Sequence, residues 1–152
     1  MAFNQKTDLT KGEALLLYIG EGTGETVEYK PIAYASSHSL SINGDTIDTS
    51  SKMSGAWKEF FIGQLNWQVT SESLVSKTTG HMSFKSLKDL MTAREPILIK
   101  IGSPTASSAD FALDSESEVA SGSAIITSLE QTAANGELCT SSITLQGTGE
   151  LK

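Results

Sequence analysis

The sequence of 152 residues holds one cysteine, three prolines and two histidines, and each scarcity removes a class of explanation. A single thiol, Cys139, cannot close an intramolecular disulfide or build a cysteine-rich metal cluster. Its neighbours Glu137, Leu138, Thr140 and Ser141 alternate like a strand, which suits a structural thiol better than a reactive one. His38 and His81 stand in no metal-ligand spacing with Cys, His or Asp. No Gly-x-Ser-x-Gly frame activates any of the many hydroxyls. The expectation is a protein that is not an enzyme and needs no metal or cofactor. No apolar run approaches ~18 residues, and residues 1–11 lack the apolar core of a signal peptide, so cytoplasmic synthesis without a membrane is expected.

Charge is thin as well: 19% of residues are charged, 38% hydrophobic and 7% aromatic. Ser, Thr and Gly fill the difference, and they favour strands and turns over long helices. A chain of this length fits one domain, 1–152, of two packed layers, and typically buries about two-thirds of its unfolded surface. The net charge of −7 is unevenly placed. Residues 1–100 carry 11 acids and 10 bases, a net of −1, whereas residues 101–152 carry 7 acids against Lys152 alone, a net of −6. That imbalance opposes tight nucleic-acid binding, which needs Lys and Arg to displace counterions. It is compatible with a surface that repels a polyanion, and equally with simple solvation.

Residues 13–19 (EALLLYI) read as a short buried strand closed by Gly20, Gly22 and Gly24. Residues 27–35 alternate, with Val27, Tyr29, Pro31, Ala33 and Ala35 on one side. Pro31 cannot donate to a ladder, which predicts an edge or bulged strand. Alternation returns at 38–43, where Leu40 and Ile42 share a face. It is clearest at 65–73, where Leu65, Trp67, Val69 and Ser71 oppose Asn66, Gln68, Thr70 and Glu72. Between these runs, residues 44–55 (GDTIDTSSKMSG) are hydroxyl-rich and almost without core residues. They predict a loop of about twelve residues, a length that in small domains is usually functional or disordered. Residues 57–62 resume the apolar pattern.

One amphipathic helix is predicted over 83–94. Phe84, Leu87, Leu90 and Met91 keep helical spacing, Ser83 suits the N-cap, and Pro96 ends the run. Such a helix commonly covers an open end or face of a sheet. A strand at 96–102, a long connection at 103–117 and a hairpin of 119–132 with 137–147 complete a mostly β chain. Neither face of that hairpin is heavily hydrophobic, which fits strands half exposed or shared with another chain.

Three patterns look like sites and are better read otherwise. Gly20-Glu21-Gly22-Thr23-Gly24 lacks the Lys-Ser/Thr of a phosphate loop, and Glu21 and Glu25 would repel phosphate. Asp45 and Asp48 lack the spacing and closing Glu of a calcium loop. Trp57 and Trp67 would serve as a sugar platform, but in alternating strands they suit a core.

Taken in order, several phrases resemble the major tail protein family of long-tailed bacteriophages, the tail tube subunits. They are the leading apolar strand after Lys11-Gly12, then Ile32-Ala33-Tyr34-Ala35-Ser36-Ser37-His38-Ser39-Leu40-Ser41-Ile42, Asp48-Thr49-Ser50-Ser51-Lys52, Gly55-Ala56-Trp57 and Trp67-Gln68-Val69-Thr70-Ser71-Glu72. The likeness runs over residues 11–102, is weaker in the final hairpin and does not extend to 103–117. It implies a β-sandwich or barrel with one flanking helix, whose subunits form hexameric rings around a shared β-barrel lumen. Two hairpins per subunit would complete a barrel of ~24 strands, and the rings would stack into a virion tail tube that delivers DNA. With strands ~4.8 Å apart and tilted about 40°, that barrel has a diameter of roughly 48 Å, enough for a duplex.

The resemblance further implies that the long loop reaches the adjacent ring. By position its contact residues are Asp45, Thr46, Ile47, Asp48, Thr49, Ser50, Ser51 and Lys52. If Ile125, Leu129 and Leu138 pack inward, then Ser128, Glu130, Thr140 and Ser142 face the lumen, an acidic, hydroxyl-lined wall that lets DNA slip. The implied partners are further copies of the chain, a tape measure protein, a tail terminator and DNA in transit without specific binding. Assembly would take place in the host bacterial cytoplasm. Two other readings stay open: the inner tube of a contractile injection or secretion system, and a monomeric carbohydrate-binding β-sandwich using Trp57 and Trp67.

Overall fold

Apolar and alternating runs become strands where a neighbouring run can cover one of their faces. The computed structural model describes residues 15–21, 26–32, 34–75, 81–104, 112–114 and 116–152. Among them the order is β1 (Leu16–Glu21), β2 (Glu28–Pro31), β3 (Ala35–Asp48), β4 (Phe60–Leu74), α1 (Phe84–Ala93), β5 (Ile97–Gly102), β6 (Ala120–Thr132) and β7 (Thr140–Thr148). The strands join one antiparallel sheet in the order β2-β1-β5-β6-β7-β4-β3. Proline-ended β2 lies at an edge, where the missing N–H of Pro31 breaks no ladder.

The sheet curls on itself. Leu17 and Ile19 of β1, near one end of the strand order, share a hydrophobic cluster with Trp67 and Val69 of β4, near the other. Ile99 of β5, Ile143 and Leu145 of β7, Met82 and the helix residue Leu87 belong to the same cluster. The Leu17 N–H donates to His38 Nε2 at 3.3 Å, which ties β1 to β3 although four strands separate them in the sheet. Helix α1 lies against β6. Its Ser83 cap accepts from the Ser86 N–H at 3.3 Å, and Arg94 ends it in a left-handed conformation (φ 59°) before Pro96 is reached.

Trp67 anchors the middle of β4. Its indole N–H donates to the Gly149 carbonyl at 3.1 Å, and its ring lies flat against Gly147 and Gly122. A Cβ on Gly147 would overlap the indole, so this close approach requires glycine at 147.

Three expectations need correction. The alternating run 27–35 is not one strand: β2 stops at Pro31, Tyr34 takes a positive φ of 47°, and β3 starts at Ala35. The predicted loop 44–55 is largely strand in its first part. Gly44 pairs with Leu65, Thr46 with Ile62, Ile47 with Phe61 and Asp48 with Phe60, so the turn occupies only residues 49–59. The cause is that the apolar partner needed to extend the ladder lies across the turn, in β4, and not in the polar run itself. Finally, Ile125 and Leu129 do not share a face. A bulge between Ile126 and Ser128 shifts the register, leaving Leu129 against the core and Ile125 exposed on the opposite side. Leu138 is exposed just before the start of β7 instead of packing inward. Of the connection at 103–117, residues 105–111 and 115 lie outside the described residues, and a bridge joins Pro104 to Leu113.

Candidate functional site

Cross-strand partners in a sheet project to the same side, so the register identifies what each face carries. On β4 the core side takes Trp67, Val69, Ser71 and Ser73, all buried. The other side continues across four strands in complete rows. One row is Ser39, Thr70, Thr144 and Ser128, taken in the order β3, β4, β7, β6. The next is Ser37, Glu72, Ser142 and Glu130. A third is Ser41, Gln68, Gln146 and Ile125. Thr140, paired with Thr132, lies one step further along. Ser128, Glu130, Thr140 and Ser142, the residues singled out from sequence, therefore share one face. These rows contain no Lys or Arg, and Glu72 and Glu130 are their only charges.

Both lateral edges of this four-stranded wall are open among the described residues. β3 is the last strand of the sheet. β6 pairs with β5 only over Ala120–Ala124, so its second half lacks a neighbour on that side. β3 runs opposite to β4, β4 to β7 and β7 to β6, which makes β3 and β6 antiparallel.

At the far end of the β3–β4 hairpin large apolar side chains stand in solvent beside polar ones. The turn's hydroxyls and carboxylates bond within the turn while most of them also reach solvent. Asp48 Oδ1 accepts from the Ser50 N–H at 2.8 Å, and Ser50 Oγ accepts from the Glu59 N–H at 3.0 Å. Ser51 Oγ accepts from the Met53 N–H at 3.2 Å, and the Ser54 hydroxyl donates to Glu59 Oε2 at 2.8 Å. The Thr49 N–H closes the turn on the Glu59 carbonyl at 2.9 Å. Hydrogen bonds from the Ser50 side chain and backbone hold the Asp48 carboxyl below its ordinary range. Trp57 stands in solvent at 84% exposure and Met53 at 96%. Phe60, Phe61, Ile62 and Leu65 of β4 and Ile42 and Ile47 of β3 are exposed as well.

Of the contact residues predicted from position, Asp45, Thr46, Ile47 and Asp48 lie at the end of β3, and Thr49, Ser50, Ser51 and Lys52 enter the turn. The contact residues predicted from position omit the exposed Met53, Trp57 and the Phe60-Phe61-Ile62 run. Its available signal was three consecutive apolar residues, which a strand with one covered face cannot bury together. Trp57 and Trp67 do not form a paired platform, since Trp67 is buried and Trp57 lies on the turn.

Residues 9–152 match the sequence profile described as phage tail tube protein. The chain belongs to the phage tail tube protein family. It is a structural tail protein. No curated protein matches it. Among solved structures it is similar to a chain in the tail of the empty GTA particle, which has C6 symmetry, with a TM-score of 0.73 and 15% identity over 95% of this chain and 98% of that one. It is also similar to the SPP1 tail tube, with a TM-score of 0.71 and 13% identity over 93% and 77% of the two chains. A third likeness is to a chain of the PVC sheath–tube complex of an extracellular contractile injection system, with a TM-score of 0.63 and 15% identity over 99% and 97%. At these identities the likeness is one of fold.

Proposed function

We propose that six copies of this single-domain protein close into a ring through the open edges of β3 and β6, and that stacked rings form the hollow tail tube through which DNA leaves the virion. The polar four-strand wall is the observation that carries this reading. Because β3 and β6 are antiparallel within one copy, rotation about a ring axis brings β3 of one copy beside β6 of the next in the same antiparallel sense. Pairing there satisfies the edge N–H and C=O groups that a lone subunit leaves open. Four strands from each of six copies give ~24 strands, and the C6 symmetry of the GTA tail supports that count.

The apolar side of the wall faces the subunit core, so the polar side faces the lumen. Ser128, Glu130, Thr140 and Ser142 then line the channel together with Thr70, Glu72 and Thr144. Without Lys or Arg the wall offers phosphates no ion pair, and the duplex slides without binding. The tube conducts and does no chemistry. It is assembled in the host bacterial cytoplasm and ends on a tail terminator, with a tape measure protein in its lumen until DNA passes. The PVC likeness supports one alternative, a contractile-system inner tube with a protein cargo. Negative-stain microscopy with light scattering on the purified chain tests the proposal. Six-fold rings or tubes are expected, and a strict monomer at high concentration contradicts it.

A further inference from the structure

A closed ring of strands fixes how far its edges slide past each other as well as which edges meet. The stagger follows from the strand tilt. With ~24 strands about 4.8 Å apart, rising ~3.3 Å per residue and tilted about 40°, the total stagger is roughly 29 residues, or about 5 for each of six copies. Side chains alternate along a strand, so only an even step joins the polar face of one copy to the polar face of the next. The row that starts at Ser39 ends at Ser128. A step of about four along β3 therefore sets Asn43 of the neighbouring copy beside Ser128, and its Ile42 beside Leu129.

Both edges are built for that step. On the core side of β3, cover runs out along the strand. Leu40, opposite Val69, borders the core cluster, whereas Ile42, opposite the buried Trp67, is 58% exposed. On the core side of β6, Ile126 and Leu129 lie against the cluster, but the pairing with β5 ends at Ala124 and leaves their flank open. Leu90 of α1 borders the same cluster, and Met91 beside it is 38% exposed, so the helix flanks this opening on its core side. The bulge between Ile126 and Ser128 interrupts the free edge of β6, and the regular stretch beyond it is 128–132. Other steps fit less well. A step of four in the opposite sense would set that stretch against residues that precede β3. A step of two would offer the opening Leu40, which is already covered, and a step of six Gly44, which has no side chain to seat. With no step, Glu130 would share a row with Ser37 and Glu72 of the next copy; the step of four moves it to the row of Ser41 and Gln68 and separates the carboxylates.

We propose that each ring closes with β3 of one copy set four residues along β6 of its neighbour, so that Ile42 seats beside Leu129 and under helix α1 of that neighbour. This rests on the tube reading above and specifies its lateral joint. The edge strand of one copy then completes the core of another. The occupant is a second copy because the two incompletely covered edges lie on one chain, run antiparallel and match in polarity on both faces. Such a head-to-tail contact closes into a ring when its rotation divides the circle.

The test places cysteine pairs in a Cys139→Ser background and follows oxidation of the assembled protein by non-reducing electrophoresis, with circular dichroism verifying that each variant folds. Directly opposed residues have Cβ atoms ~4.5–5.5 Å apart, within reach of a disulfide, whereas diagonal ones are ~7–8 Å apart. Ile42→Cys with Leu129→Cys is expected to give a reducible ladder of cross-linked copies that ends at six. Leu40→Cys with Leu129→Cys, two residues out of register, is expected to cross-link roughly tenfold more slowly or less. Equal or faster cross-linking of the Leu40 pair, or none by either pair in rings that form, overturns the joint and leaves the tube reading standing. A second variant, Ile42→Thr, keeps a β-branched residue at the exposed position. It is expected to fold as the unaltered chain does but to need roughly tenfold or more protein before rings appear, read by microscopy and sedimentation. Rings at the unaltered concentration overturn the seating of Ile42. Absence of rings and tubes from the unaltered chain defeats the tube reading itself.

Discussion

From Trp67 to Ser73, alternate residues of β4 are buried and their neighbours are polar and reach solvent, while from Phe60 to Leu65 the same strand leaves four apolar side chains exposed. The two halves differ in what lies opposite them. The inner half faces the cluster of Leu17, Ile19 and Leu145; the outer half extends past it. A strand's pattern thus reports the surface that covers it. The inner half is a folding element, and the outer half has no cover among the described residues.

Substitutions at the two tryptophans should separate these roles most widely. Trp67→Ala removes a buried ring and its bond to Gly149, and is expected to cost about 3–5 kcal/mol in urea unfolding. Trp57→Ala is expected to stay within about 0.5 kcal/mol of wild type in the same assay. Equal losses would erase the distinction. Gly147→Ala comes next: its methyl meets the Trp67 indole, and overpacking of this kind costs about 1–3 kcal/mol. Unchanged stability there would mean that Trp67 has room to move.

A smaller effect is expected at His38. Burial lowers its pKa, and its Nε2 must be unprotonated to accept from the Leu17 N–H. The unfolded imidazole binds a proton more readily than the folded one. This contribution to stability is therefore intact above the ordinary value of 6.5 and is lost as pH falls through the lowered folded value. His38→Gln, which keeps an acceptor, is expected to flatten the stability profile in that window, and an unchanged profile would discount the contact. The smallest effect concerns Asp48. Its carboxyl is held low by Ser50, so the turn is intact above the ordinary value of 3.8 and loosens as pH falls through the lowered one. Asp48→Asn is expected to speed amide exchange at Ser50 at neutral pH without changing the melting temperature; equal exchange would show that the turn does not depend on that bond.

Much of this arrangement was legible locally. The alternation at 65–73 identifies the inner half of β4, and the spacing of Phe84, Leu87 and Leu90 with Ser83 identifies α1. What local pattern could not supply depends on distant partners. The pairing of Thr46 and Ile47 with Ile62 and Phe61 makes strand of an apparently polar loop. The bulge at Ile126/Ser128 reverses the parity that would have placed Ile125 with Leu129. The positive φ of Tyr34 breaks a run that alternates without interruption. Ser128, Glu130, Thr140 and Ser142 were assigned to one side by alternation, and the register adds their neighbours Thr70, Glu72 and Thr144. The exposed apolar hairpin was the hardest to read, because an apolar run in a sequence does not say whose core it enters.

Electron cryomicroscopy of tubes grown from the purified chain tests the central claim most directly. The account predicts six-fold rings in which β3 of each copy pairs antiparallel with the second half of β6 of the next, with the row Ser37, Glu72, Ser142 and Glu130 facing the channel. A tube whose lumen is lined by the opposite face, or one whose copies meet without β3–β6 pairing, would contradict it.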